Sequence, residues 1–242
     1  MSISINDWNS RVNKSLLNTS IHTASSFEEL VTTSFHGDIN AICWKRELKG
    51  NFSELVDKLK GKEYLEDINE DKLNKLKLSE EGELARDIVL TDFKTLRNFG
   101  SVPTLNIVET YKKDDTLGPI PTDVYSFHVD RSPVPTDTFL CTYFGMPSEI
   151  LPNQHALQKI LIPEIRNELI ELYGKEDDGF ETFLKENFYD IHYQAKSAAS
   201  PIGLGVGLLW RLAVDHPESQ VAACIHRAPK QEKGNSRLLM IS

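Results

Sequence analysis

Four residues in the second half of this chain have the types and spacing to build an oxidising metal site. His128 and Asp130 flank one residue in Tyr125-Ser-Phe-His-Val-Asp130, His226 closes Gln220-Val-Ala-Ala-Cys-Ile-His226, and Arg237 follows eleven positions later. Two neutral imidazoles and one hard carboxylate suit one face of a ferrous ion and leave the other face open. An arginine alongside can take a carboxylate with both prongs of its fork, which a lysine does only as a point charge. The order points to a non-haem Fe(II) oxygenase with 2-oxoglutarate as cosubstrate and O2 as oxidant, acting on a small molecule or peptide.

The residues carry rival readings. Seven histidines and a common Asp supply about half of one H-x-D tripeptide by chance, so that motif alone is weak and the later His and Arg carry the weight. A strand-end His and Asp bonded to loop backbone is the plain alternative, as is a surface hairpin arginine for Arg237. His216, in Asp215-His216-Pro217, and His192, in Asp190-Ile191-His192, are further candidate ligands, each more often a turn or strand residue with an ordinary hydrogen bond, and His216 is second to His226. Gly203, Gly205 and Gly207 lack the following Lys-Ser/Thr of a phosphate loop and read as a glycine-rich turn. Cys141 and Cys224 have no readable triad partner, and Cys224 shares strand parity with His226. Ser197 to Ser200 contains no G-x-S-x-G elbow.

Alternate residues of a strand share a face, so a strand ending at Asp130 would aim His128 and Asp130 at one ion. Candidate strands are Thr104 to Tyr111, Asp123 to Asp130, Thr136 to Phe144, Phe188 to Tyr193, Leu208 to Val214, Ser219 to His226 and Arg237 to Ile241, with a hairpin turn through Lys230 to Asn235. Short strands broken by Pro, Gly and Asp predict a β-sandwich or barrel. Gln154 to Tyr173 and Gly179 to Asn187 carry apolar residues at helical spacing and read as a helical insertion. Before them, the first hundred residues read as helix-rich, with one strand at Ile39 to Trp44 and a short helix at Phe52 to Leu59. A longer helix opens at Ser79-Glu80-Glu81-Gly82-Glu83 and stops at Asn98-Phe99-Gly100, with Leu84, Ile88, Val89, Phe93 and Leu96 on one face.

A length of 242 residues predicts one elaborated domain: an N-terminal extension over 1–100 and a catalytic domain over 101–242, with its insertion near 154–187. A net charge of −9 without clustered basic residues argues against nucleic acid, and the Lys58 to Lys77 run alternates in sign as a solvated surface does. Three scattered cysteines support neither disulfides nor a thiolate zinc site and suit a reducing cytoplasm. Neither an export leader nor a membrane-length apolar run stands out, so a cytoplasmic protein is expected.

Tyr125-Ser-Phe-His-Val-Asp130, Thr138-Phe-Leu-Cys-Thr-Tyr143 and His226-Arg-Ala-Pro with Gly234-Asn-Ser-Arg237-Leu-Leu-Met-Ile resemble the prolyl-hydroxylase type of Fe(II)/2-oxoglutarate dioxygenase. Over more of the chain, Asn40-Ala-Ile-Cys-Trp-Lys-Arg46, Phe127-His-Val-Asp130, Leu140-Cys-Thr-Tyr-Phe-Gly145, Glu149-Ile-Leu-Pro-Asn153 and His226-Arg-Ala-Pro229 resemble the bacterial family catalogued as domain of unknown function 1826, which names no substrate. The dioxygenase resemblance implies an α+β, mainly β fold: a double-stranded β-helix (jelly-roll, cupin-like) core with N-terminal helices and a helical insertion. It implies His128, Asp130 and His226 on iron, Arg237 on 2-oxoglutarate, and Tyr143 as a second donor to that cosubstrate. The alternative for Tyr143 is a core aromatic with a satisfied hydroxyl. A cupin-like metalloenzyme without 2-oxoglutarate and a silent metal-binding protein are the rival functions. The insertion, larger than a minimal barrel needs, is read as a lid or dimer contact, which leaves a homo-oligomer open.

Overall fold

The structure, a computed structural model, describes residues 20–61, 65–109, 111, 113, 118–230 and 235–242. Residues 231–234, within the expected hairpin turn, and residues 1–19 lie outside them. The protein is mixed α+β and mainly sheet. Its larger sheet holds β1 (Ile21–Ala24), β2 (Ala41–Trp44), β3 (Leu65–Ile68), β4 (Thr104–Val108), β6 (Asp137–Phe144), β11 (Leu209–Ala213) and β13 (Arg237–Ile241), in the order β1-β2-β11-β6-β13-β4-β3. The smaller sheet holds β5 (Phe127–His128), β7 (Glu149–Ile150), β8 (Ala156–Gln158), β9 (His192–Ala195), β10 (Ile202–Gly203) and β12 (His226–Arg227), in the order β10-β7-β12-β5-β9-β8. Pairing is antiparallel except between β1 and β2. From β4 onward the chain crosses repeatedly between the sheets, so residues distant in sequence meet on their facing surfaces.

Strand parity sorts the core into two layers. Leu140, Trp210, Leu212 and Leu239 of the larger sheet pack on Ile150, Ile202 and Cys224 from the smaller sheet's side. The alternate residues Phe139, Cys141, Tyr143, Leu238 and Met240 face outward, under helices α2 (Phe52–Leu59) and α4 (Glu80–Phe99). Helix α4 follows its sequence signals. Ser79 accepts from the Gly82 amide, acids fill the first turn, and Gly100 ends the helix at φ 103°. Its buried stripe runs through Ala85, Val89, Phe93 and Leu96, whereas Leu84, expected on that face, is 40 % exposed. The shorter helices α1 (Phe27–Thr32) and α3 (Glu70–Asn74) are capped by Ser26 and Asn69.

Several expected elements change. Strands β1 and β3 come from the helix-rich first hundred residues and form the two edges of the larger sheet. The strand expected from Asp123 shrinks to two residues, because the Asp123 side chain accepts from the amides of Tyr125 and Ser126 and closes a turn there. Ser219 to His226 likewise yields only the start of β12. The helix expected from Gln154 begins instead at Pro163, as α5 (Pro163–Tyr173), because proline at the first helical position supplies no amide to a preceding turn. Residues ahead of it form β8 on the edge beside β9. Phe188, at φ 59°, breaks the strand predicted there and delays β9 to His192. Helices α5 and α6 (Phe180–Glu186) share a small core of Ile160, Leu169, Phe180 and Leu184. Among the described residues, no helix is long and apolar enough to cross a membrane.

Candidate metal centre

The smaller sheet brings the two expected imidazoles together by register. His226 of β12 is the direct partner of His128 of β5, and their ring centroids are 4.6 Å apart. Asp130, two residues past His128, returns to the same place. Its Oδ1 lies 4.0 Å from His128 Nε2 and its Oδ2 lies 3.7 Å from His226 Nε2. The three ligand atoms fall within 4.8 Å of one another, and this is the one such trio of His, Cys or acid side chains among the described residues. Ligands about 2.1 Å from an ion stand about 3 to 4 Å apart, so the trio fits a divalent cation with slight closure.

The backbone fixes how the rings present themselves. His128 Nδ1 lies 2.8 Å from the Ser126 carbonyl, and His226 Nδ1 lies 3.2 Å from the Cys224 carbonyl. A carbonyl only accepts, so each Nδ1 carries the proton and each Nε2 lone pair points into the shared space. Burial, aided by the neighbouring His226, lowers the His128 pKa and favours the neutral ring that a metal needs. Thr138 Oγ1 donates to Asp130 Oδ2 at 2.5 Å and holds the carboxylate's orientation. The other histidines stay outside the trio. His216 Nδ1 accepts from the Glu218 amide, and His192 lies buried on β9 beside His128.

Arg237 lies on the inner face of β13 and is 0 % exposed. Its Nη1 donates to Tyr111 Oη at 3.2 Å, and its Nη2 donates to Ser148 Oγ at 3.0 Å and Thr142 Oγ1 at 3.4 Å. Its Nε and the hydroxyl of adjoining Ser236 are buried and find no partner among the described residues. Among the described residues no carboxylate lies within ion-pair distance of this guanidinium. Burial therefore pulls its pKa below the usual arginine range, with the Tyr111 and Tyr125 oxygens acting in the other direction. Gly145, at φ 85°, makes room here, because a Cβ on it would meet the Ser236 carbonyl and come within 3.1 Å of Arg237 Cγ.

Tyr143 is a correction. It faces away from Arg237 and the space between the sheets, since Thr138, Leu140 and Thr142 take the inner positions of β6 and Tyr143 must take an outer one. Its hydroxyl donates to Asp92 Oδ2 at 2.6 Å, and Arg46 grips the same carboxylate at 2.6 and 2.5 Å. This buried clasp ties α4 to the outer face of the sheet. Thr142, one residue earlier, is the side chain that reaches Arg237. Thr138, Thr142 and Ser148 join the site without having been expected there, although the period-two pattern of β6 carries the signal for both threonines.

The cysteines are no rivals. All three are free and buried, and burial pushes the Cys141 thiol up to about 12. The glycines Gly205 and Gly207, both at positive φ, form the tight connection into β11.

The chain matches no protein-family model, no curated protein and no solved structure.

Proposed function

We propose that this protein is an Fe(II)- and 2-oxoglutarate-dependent dioxygenase that hydroxylates an amino acid, a peptide or another small metabolite. The observation that carries the reading is the fully buried Arg237, without an acidic partner among the described residues, on the inner face of the larger sheet and so on the side where His128, Asp130 and His226 gather. A guanidinium taken from water without a counter-charge costs several kcal/mol, so its site is built for an anion that arrives from outside. Strand order supports the reading too. The runs β11-β6-β13-β4 and β10-β7-β12-β5, with the chain crossing between the two sheets, are compatible with a jelly roll or double-stranded β-helix.

Position ties the anion to the metal. Ser148, which binds Arg237, stands two residues before Ile150, the register partner of His226 on the next strand. Two residues along and one strand across amount to about 8 Å, a gap that a five-carbon diacid can bridge. His128, Asp130 and His226 would hold the ion, while Arg237, Ser148, Thr142 and Tyr111 would take the distal carboxylate. Bound Fe(II) would couple the oxidative decarboxylation of 2-oxoglutarate by O2 to oxidation of a substrate C–H bond. Ile150, Leu239 and Trp210 wall the interior and exclude water around the reacting groups.

The test is anaerobic titration of the purified chain with Fe(II) and then 2-oxoglutarate, followed by absorption. A charge-transfer band that needs both components, and that Asp130→Ala abolishes, is the expected result. Metal retention without any response to 2-oxoglutarate would reject the reading in favour of a cupin-like metalloenzyme or a silent metal binder.

A further inference from the structure

Register sets a line of polar side chains across the smaller sheet. His226 is opposite His128, and His128 is opposite His192. The Gln158 and Tyr193 pair then brings Lys159, the first residue after β8, level with His192. The first two of these are the proposed metal ligands, and the third has its ring 5.8 Å from His128. Lys159 ends the line.

Its environment is unusual for a lysine. The ammonium is half-buried and donates to Ser126 Oγ at 2.7 Å, while the carbonyl of the same Ser126 is the group that orients His128. Among the described residues no carboxylate lies within ion-pair distance of it. Asp123 pulls on it from further away, but Oδ1 of that carboxylate is engaged by the Tyr125 and Ser126 amides at 3.0 and 3.3 Å. Burial accordingly lowers the Lys159 pKa. An ammonium carries three donors; among the described residues Ser126 Oγ takes one, and Asp123 acts on the charge only from beyond ion-pair distance. Lysines with no task at a site extend their charged end into water, whereas this one is held back against the turn that positions a metal ligand.

We infer that Lys159, with Ser126, anchors a carboxylate of the primary substrate beside the metal centre. The inference rests on the dioxygenase reading and narrows its substrate class to carboxylic acids. The sheet order places the two anion sites on opposite flanks. Ser148 leads into β7 on one side of the β12 and β5 ligands, and Lys159 follows β8 on the other. Cosubstrate and substrate can therefore each present a carboxylate without competing for one cation. The reacting C–H bond would be the one carried over the ion when the acid end sits at Lys159.

The experiment uses N-acetylated amino acids, each as the free acid and as the primary amide. Acetylation removes the ammonium that Lys159 would repel. Binding to the full chain is measured by calorimetry, with and without Fe(II) and 2-oxoglutarate, and the iron-dependent band is recorded alongside. At least one acid should bind about ten- to hundredfold more tightly than its amide, the worth of one charge-assisted hydrogen bond. Lys159→Met should erase that ratio with metal and 2-oxoglutarate affinity unchanged, and Lys159→Arg should keep most of it. A normal band with no acid preference, or with a preference that survives Lys159→Met, overturns the carboxylate anchor alone. An intact acid preference without the band overturns the dioxygenase reading alone.

Discussion

Replacing Arg237 by methionine should move stability and cosubstrate binding in opposite directions. The guanidinium is fully buried, makes three hydrogen bonds to neutral hydroxyls and has no partner for its Nε among the described residues. Three long hydrogen bonds from this charged donor return about 1.5 kcal/mol each, the weak end of the charge-assisted range, against a desolvation cost of several kcal/mol for the charge. Methionine matches the length of the stem, and Tyr111, Ser148 and Thr142 lose only a donor. A net gain of about 1 to 2 kcal/mol follows, or about 2 to 8 °C in Tm at this chain length. Wild type with 2-oxoglutarate at one hundred times its Kd gains about 2.7 kcal/mol, or roughly 5 to 11 °C. Arg237→Met should lose that increment while starting from a higher baseline. Scanning calorimetry of both proteins, metal-loaded, with and without 2-oxoglutarate, decides it. A variant less stable than wild type that still gains from 2-oxoglutarate would refute the argument that the arginine is held in reserve for an anion.

Three further outcomes follow from particular contacts. Thr138→Val removes the donor on Asp130 Oδ2 and should weaken metal binding about 10- to 100-fold in a competitive metal titration, with little change in urea midpoint. Tyr143→Phe should leave the 2-oxoglutarate requirement untouched and cost about 1.5 to 3 kcal/mol in urea unfolding, because its hydroxyl serves buried Asp92 on the outer face. Gly145→Ala forces a side chain to φ 85° and against Arg237, so it should cost about 1 to 3 kcal/mol and raise the half-saturating 2-oxoglutarate concentration in succinate assays.

The metal trio was legible because its signals are local or arise from simple spacing. Period two brings His128 and Asp130 to one face, but the hairpin expected from His226 to Arg237 does not form: β12 pairs with β5 and β7 in the smaller sheet, and β13 pairs with β4 and β6 in the larger one. Helix α4 was legible from Ser79 and Gly100, which fix its ends by side-chain and backbone chemistry within a few residues. Tyr143 was misplaced because its role came from resemblance alone, whereas counting parity from Thr138 would have put it outside and Thr142 inside. The segment ahead of Pro163 looked helical because Leu157, Ile160 and Leu161 sit at helical spacing, yet pairing with β9, more than thirty residues away, decided the matter. Strand β1 was hidden for a similar reason. Ile21–Ala24 gains its structure from parallel pairing with β2, which nothing within its four residues announces.

At the centre of the site, β5 and β12 meet through one registered pair, His128 with His226. Beyond that pair the two stretches share the bond from the Ala228 amide to the Val124 carbonyl at 2.7 Å, so the main chain has few ties where these distant segments must stay aligned. A cation shared by those two rings would then act as a rivet, supplying cohesion that the short strands lack and linking the fate of the last part of the chain to the ion's presence.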